Sequence, residues 1–292
     1  MKTVYIFFFL LPLFCFSQDE KEYVFGTFRS GQLINVQTTE MVQPKSFEFS
    51  IRHRFGMIGL NSTTLKQFLG LDLPANIRFA FTFPVTKNLN IGIGRTKNEK
   101  TFDGEIKLLF LRQTEDNNTP VSVAGYFNIA VKTGDFQKIA EYSFFGDGSL
   151  TFRNKFNHRL SYCSEIIMAR KFSEKISLQV TPAYFYKNLV TPGNENETFA
   201  VPVGCVFKTG LHSSFAFEYA YCFNNRPDEK NYPLSIAWEV GTAGHIFQLI
   251  ATSTGELVEQ EIYTHTGYNY LKGNFALGFN IRRTFWQKKF KK

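Results

Sequence analysis

Long apolar runs are scarce in this sequence. After residue 18 there is no stretch of about 18 apolar residues, which is the length that a transmembrane helix needs. A chain without such runs can cross a bilayer only as a closed β-barrel, because the barrel satisfies its backbone polar groups internally.

Cysteine is rare, and the usual catalytic and metal-binding motifs are missing. Cys163, Cys205 and Cys222 remain after the N-terminal region, and this odd, widely spaced set is not a disulfide framework. No CxxC, HExxH or GxSxG occurs, and no pair of histidines or carboxylates has metal-ligand spacing. We therefore expect no catalytic residue, no metal and no cofactor.

Aromatic residues are abundant. The chain has 34 Phe and 13 Tyr, yet its mean hydropathy is only −0.18. Interleaved apolar and polar residues produce this combination. In SSFAFEYAYCF (213–223), aromatic residues occupy every second position, and small residues or Glu218 lie between them. A two-residue period is typical of a strand with one apolar face.

The same period recurs along the chain at about ten-residue length, as in transmembrane barrels. It predicts twelve strands, at about 46–55, 76–84, 88–96, 103–112, 120–132, 156–171, 175–187, 198–208, 212–223, 233–241, 244–253 and 273–285. We predict an all-β fold, a closed antiparallel transmembrane β-barrel with short periplasmic turns and longer extracellular loops. A soluble β-sandwich also alternates, but it would have to bury all of these aromatic residues in one core.

Composition divides the chain into four parts. Residues 1–18 have a basic start and a short apolar run, which predict a signal peptide. Residues 19–45 are a periplasmic or lumenal N-terminal segment, residues 46–286 the outer-membrane barrel, and residues 287–292 a basic tail. The net charge is +8, but no nucleic-acid motif accompanies it, and we expect no nucleic-acid partner.

Several segments together resemble an uncharacterised outer-membrane β-barrel family of Bacteroidetes. The segments are VFGTFRSGQLINVQTTE (24–40), FEFSIRHRFG (47–56), LNIGIGRTKNEKTFDGEIKLLFLRQ (89–113), IIMARKFSEKISLQVTP (166–182), VGTAGHIFQLIATSTG (240–255) and FALGFNIRRTF (275–285). The resemblance implies the barrel and the outer membrane as its compartment, with lipid as its partner. It implies no activity.

Any function would lie on the inward face of the barrel. Alternation places these lumen-lining candidates there: Glu48, Arg52, Arg54, Arg78, Lys107, Glu165, Gln179, Glu218, Glu239, Gln248 and Arg282. Basic residues are somewhat in excess. The candidates either line a narrow channel for a small polar or anionic solute, or pair across the lumen and close a structural or partner-binding barrel.

Three further features leave alternatives open. Residues 19–45 either plug the lumen, with Arg29 and Glu40 meeting its charges, or form a periplasmic leader. The connections 56–75 and 133–155 gate the barrel, dock a partner or simply cover its rim. An enzyme is the least favoured class, and His53 is its nearest candidate residue.

Overall fold

The alternating segments form antiparallel strands in the computed structural model, which describes residues 22–59, 62–134, 155–190, 194–223, 232–264 and 267–286. The predicted signal peptide, the basic tail and most of the 133–155 connection lie outside these residues. The strands are β1 (Ser46–Ile58), β2 (Asn76–Pro84), β3 (Leu89–Thr96), β4 (Phe102–Leu111), β5 (Ser122–Val131), β6 (Leu160–Lys171), β7 (Ile176–Val180), β8 (Ala183–Lys187), β9 (Glu197–Lys208), β10 (Ser213–Cys222), β11 (Leu234–Gly241), β12 (His245–Thr252) and β13 (Phe275–Trp286).

The sheet closes on itself. Strands that follow one another in the chain pair antiparallel, except for β7 and β8, and β1 pairs with β13 from Ser46↔Trp286 onwards. Strands β7 and β8 both pair with β6 on one side and with β9 on the other. They are therefore two halves of one span, and the barrel has twelve spans, as predicted.

The interruption between β7 and β8 falls at Thr181 and Pro182. Proline has no N–H to give to the ladder. The Thr181 N–H donates to the Pro202 carbonyl at 2.8 Å, and the Pro182 carbonyl accepts from Ile166 N–H at 3.0 Å. The predicted single strand 175–187 thus keeps its place in the sheet with a local break.

Alternation sets the two faces of the wall. In β10, Phe215 and Phe217 are 41% and 46% exposed, whereas Ser214 and Glu218 are 0% and 6% exposed. The outward side chains stack across strands, as Phe47 does on Phe285 at 4.9 Å between ring centroids. The aromatic residues of the wall form its outer, lipid-facing surface, and the polar residues face the lumen.

The two ends of the barrel differ. The short connections after β2, β6, β9 and β11 lie at one end, together with Ser46 and Trp286; we call it the short-turn end. The opposite, long-loop end carries the connections after β1, β5, β8, β10 and β12. The N-terminal segment therefore approaches the barrel at the short-turn end.

Among the described residues, helical structure lies in the connections. It comprises α1 (Ser62–Lys66), α2 (Glu259–Ile262) and short 3₁₀ turns at Phe68–Gly70, Asn98–Lys100, Phe156–Arg159 and Tyr270–Lys272. Leu69 has a φ of 56°, so the helical part of the 56–75 connection consists of two short turns. No helix among the described residues is long and apolar enough to cross a bilayer.

Candidate functional site

The N-terminal segment enters the lumen from the short-turn end. Its described part, residues 22–45, is called here the plug segment. The Val24 N–H donates to the Gln113 carbonyl at 2.9 Å. The Lys208 ammonium, at the end of β9, donates to the Gly26 carbonyl at 2.9 Å. These contacts hold the segment at the rim before it turns inwards.

Inside the lumen the plug segment folds back in a hairpin. The Leu33 N–H donates to the Val36 carbonyl at 2.8 Å, and the Thr38 N–H donates to the Gly31 carbonyl at 3.0 Å. Residues 33–36 form the tip, and almost all of the hairpin is buried.

Glu218 of β10 binds the tip of the hairpin. The backbone N–H groups of Ile34, Asn35 and Val36 donate to its Oε1 at 2.6, 2.9 and 3.1 Å. The Asn35 Nδ2 donates to Oε2 at 3.2 Å. Hydrogen bonds to an ionised acceptor are the stronger kind, so Glu218 is the principal polar anchor of the plug segment.

Other inward side chains bind the same hairpin from around the wall. The hydrogen bonds run from Lys107 Nζ to Gly31 O (2.7 Å), Gln248 Nε2 to Leu33 O (2.6 Å), Asn280 Nδ2 to Ile34 O (3.0 Å), Gln179 Nε2 to Gln37 O (2.6 Å), Arg54 Nη2 to Asn35 Oδ1 (3.0 Å), and from the Arg282 guanidinium to Ser30 Oγ and Gln32 Oε1 (both 3.0 Å). Strands from all around the barrel thus converge on one segment.

The hairpin also has an apolar contact with the wall. Leu33 and Ile34 belong to a buried cluster completed by Phe28, Val36, Ala169, Val206, Ala216, Ala237 and Ile250. Gly204 of β9 adds space, because a Cβ there would lie 2.5 Å from Leu33 Cδ2. Small inward residues on the wall therefore make room for the plug segment.

A second segment fills the lumen from the long-loop end. Residues 253–264, between β12 and β13, are called here the inner loop, and Leu257 and Gln260 within it are fully buried. Glu261 pairs with Lys187 at 2.7 Å, and Gln260 Nε2 donates to Asn128 Oδ1 at 2.7 Å. The predicted strands 244–253 and 273–285 leave residues 254–272 as one of the long extracellular loops, and the structure corrects this expectation because the first part of the connection is buried in the lumen.

The plug segment and the inner loop meet at Glu259. The Nε2 groups of Gln32 and Gln37 donate to Glu259 Oε1 at 3.4 and 3.1 Å. The two segments thus enter the lumen from opposite ends and contact each other inside it.

Beside this junction, a buried ion pair links β2 and β4 on the inward face of the wall. The Arg78 guanidinium pairs with Asp103, with Nε–Oδ1 at 3.0 Å, and lies 3.6 Å from Glu105. A Cβ at Gly94 would overlap the Arg78 guanidinium, and one at Gly92 would lie 2.5 Å from Glu105 Oε1. These inward glycines leave room for the charged side chains, as their strand positions suggest.

The structure places every lumen-lining candidate on the inward face. Arg54, Lys107, Gln179, Glu218, Gln248 and Arg282 hydrogen-bond the plug segment directly, and Glu239 pairs with Arg29 of that segment at 3.3 Å. The other four have different surroundings. Arg78 pairs with Asp103, Glu48 lies 4.0 Å from Arg282, Glu165 lies 3.6 Å from the Cys163 thiol, and Arg52 has no hydrogen-bond partner.

Sequence reasoning left out Asp103, Glu105 and Lys187, although all three lie on the inward face. Asp103 and Glu105 share the strand face of Lys107, so the alternation itself contained that signal. Two of the three are acidic, and the predicted excess of basic residues on the wall is therefore smaller than it appeared.

His53 lies on the outward face of β1. Its ring stacks on Phe279 at 5.0 Å between centroids and lies 4.5 Å from Phe55. This position belongs to the aromatic outer surface. Among the described residues, no group of three or more His, Cys, Asp or Glu side chains is arranged to hold a metal ion.

A closed, twelve-span barrel with an apolar outer face and a polar lumen defines a membrane-bound β-barrel protein. The chain belongs to the family of membrane-bound β-barrel domains DUF5777, whose model matches residues 28–285. The family match confirms the resemblance to a barrel family. No curated protein matches the chain.

The NanC porin, a solved structure, is 6% identical, with a TM-score of 0.50 over 82% of this chain and all of that one. At this identity the likeness to NanC shows the fold alone. The KdgM porin is also similar, at 6% identity and a TM-score of 0.47 over 82% of this chain and 99% of that one. A second KdgM structure, with 6% identity, a TM-score of 0.49 and the same coverage, is a complex with disordered oligogalacturonate.

Proposed function

We propose that this protein is a narrow outer-membrane channel for a small polar or anionic solute, and that the arrangement described here is its closed state. One observation carries the proposal: the lumen is blocked by segments that side chains of the wall hold non-covalently. The plug segment joins the barrel at Ser46 and binds the wall through residues such as Glu218 and Gln248. It can therefore leave without breaking the sheet, and water can satisfy the groups that it leaves behind.

The barrel fold supports a location and an orientation for the channel. The porin-like fold supports a place in the outer membrane, with the aromatic outer face against lipid and the short-turn end in the periplasm. A signal peptide at residues 1–18 and an origin in the Bacteroidetes are part of the same proposal. The proposal includes no chemical step, and His53 packs against Phe279 on the outer face.

A closed structural or partner-binding barrel is the second candidate. The apolar contact between the hairpin tip and the wall favours it, because Leu33 and Ile34 are buried against side chains such as Ala216. Exposing this cluster to water costs free energy, at about 25 cal/mol per Å² of apolar surface. A lumen that never opens would avoid that cost.

Gly204→Leu separates the two candidates. Because even a Cβ at this position would lie 2.5 Å from Leu33 Cδ2, a leucine side chain forces the hairpin off β9. We expect rare openings from the wild-type protein in a planar bilayer and frequent, sustained conductance from Gly204→Leu. Reversal potentials in a salt gradient then measure the preference for anions.

The matched control is Gly104→Leu. Gly104 faces outwards on β4, and the nearest atom to a Cβ there is in Ile129, at 3.9 Å. This variant should behave like the wild-type protein. If both proteins form heat-modifiable barrels and neither the wild type nor Gly204→Leu ever conducts, the channel is excluded and the closed barrel is the better interpretation.

A further inference from the structure

Arg52 is a buried cation without a partner. It lies on the inward face of β1, between Asn280 of β13 and Arg78 of β2 in the sheet register, and is 1% exposed. None of its three guanidinium nitrogens has a hydrogen-bond partner. A buried charge is unfavourable unless it is paired, so this position is suited to an anion that the chain itself does not supply in full.

The neighbouring arginines are already occupied. Arg78 pairs with Asp103. Arg54 donates to Asn35 and Asn280, and Arg282 donates to Ser30 and Gln32. Arg52 therefore differs from these three arginines of the described lumen wall, because each of them has a hydrogen-bond partner and Arg52 has none.

The inner loop carries a buried carboxylate at its junction with the plug segment, Glu259, which is 1% exposed. Its Oε1 accepts from Gln32 and Gln37, but its Oε2 has no hydrogen-bond partner, and no ion pair within 4.0 Å joins it to Arg52. Glu259 is thus a second buried group of the lumen whose polar atoms are only partly satisfied.

The neighbour of Glu259 fixes this position. Gln260 donates to Asn128 at 2.7 Å, and Asn128 donates in turn to Asp103 at 3.3 Å. Asp103 is the ion-pair partner of Arg78. The inner loop is therefore attached beside the pair of strands that carries Arg52 and Arg78.

We propose that Arg52 is the anion-binding residue of the lumen, that its ligand is the carboxylate of a small solute, and that Glu259 is a tethered competitor for the same site. The inference rests on the proposed function, since the anion is taken to be the transported solute. A solute carboxylate that binds Arg52 takes the place of the Glu259 carboxylate at this site. It thereby weakens the binding of the inner loop to the barrel wall. Binding at this site then favours the open lumen.

The test is a binding measurement on the full-length protein folded in detergent. Thermal unfolding is followed against increasing D-glucuronate, with neutral D-glucose as the matched sugar, at constant ionic strength. We expect glucuronate alone to raise the melting temperature of the wild-type protein. Arg52→Gln should abolish this response, and Glu259→Gln should increase the apparent affinity roughly tenfold, because it removes the competing charge.

Glu256→Gln is the control for general electrostatics. Glu256 lies in the same loop, but its side chain contacts Asn98 at the rim, so its removal changes the net charge equally without touching the site. An equal gain of affinity from Glu256→Gln and Glu259→Gln would refute the competition. Arg52→Gln should fold, because its guanidinium has no hydrogen bond to lose, and Arg52→Lys should keep a weaker response.

Failure of this inference is distinct from failure of the channel. The binding measurement needs no current, so a protein that never conducts but binds glucuronate through Arg52 supports the site and contradicts only transport. A wild-type response to glucuronate that is unchanged in Arg52→Gln overturns the site, whatever the conductance.

Discussion

Replacing Glu218 with alanine is expected to release the tip of the plug segment and to lower the free energy of unfolding by about 3 kcal/mol or more. The carboxylate accepts three backbone N–H groups, from Ile34, Asn35 and Val36. Removing one charged partner leaves several buried donors without an acceptor, and this is costlier than the loss of one ordinary hydrogen bond. The same change should increase conductance in a planar bilayer.

Urea titration of the folded protein in detergent measures the stability change, and limited proteolysis near residue 34 reports release of the tip. Glu218→Gln keeps one acceptor oxygen and should show a smaller loss. Glu197→Gln, at the exposed start of β9, removes a carboxylate from a neighbouring strand and should change neither property. A Glu218→Ala protein that is as stable and as resistant as the wild type would show that the apolar contact alone holds the plug segment.

Arg78→Glu is expected to have the largest effect on stability, with a loss of about 3–5 kcal/mol or failure to fold. The substitution places a third carboxylate beside Asp103 and Glu105, which already face the position from β4. It also removes the guanidinium for which Gly94 leaves space. The substitution therefore removes both the Arg78–Asp103 ion pair and the packing of the guanidinium over Gly94.

The double variant Arg78→Glu with Asp103→Arg tests the electrostatic part of this loss. Because it restores opposite charges across the same strands, it should recover part of the stability in urea titration. Arg170→Glu is the matched control, since Arg170 is a half-buried arginine that donates to Pro120 and Asn117 at the rim. If the double variant is no more stable than Arg78→Glu, packing of the guanidinium over Gly94, not charge, dominates at this site.

Much of the barrel could be predicted from the two-residue period. Strand β10 shows why: one face of SSFAFEYAYC has to meet lipid and the other the lumen, so alternation alone orients Phe217 and Glu218. The break between β7 and β8 was not predicted, since the alternation runs through Pro182 and indicates one strand over 175–187. Closure of β13 on β1 required no separate signal, because an open edge is excluded in a bilayer.

The contents of the lumen could be predicted only in part. The plug segment was one of two alternatives, since its sequence has no strong period and its place depends on partners far along the chain. Leu33 meets Gly204, and Glu218 meets three consecutive N–H groups. Such complementarity is a property of the assembled wall and leaves no local pattern.

The inner loop was missed for a similar reason. Its acidic stretch, with Glu259 and Glu261, is typical of a solvated loop. It enters the barrel because Lys187 and Lys132 pair with Glu261, and because Tyr263 stacks on Phe185 at 5.1 Å. The sequence shows each of these groups but not their convergence.

The binding site of the plug segment is formed by strands that lie far apart in the chain, and this determines when the segment can bind during folding. The segment precedes every strand in the chain, yet it is held by residues of β1, β10, β12 and β13, and Ser30 hydrogen-bonds Arg282 across 252 positions. Its binding site does not exist until the last hairpin has closed the cylinder. The plug segment, which precedes all of the described strands, is therefore the last part of the described chain to find its native contacts, and it lacks them while the strands assemble.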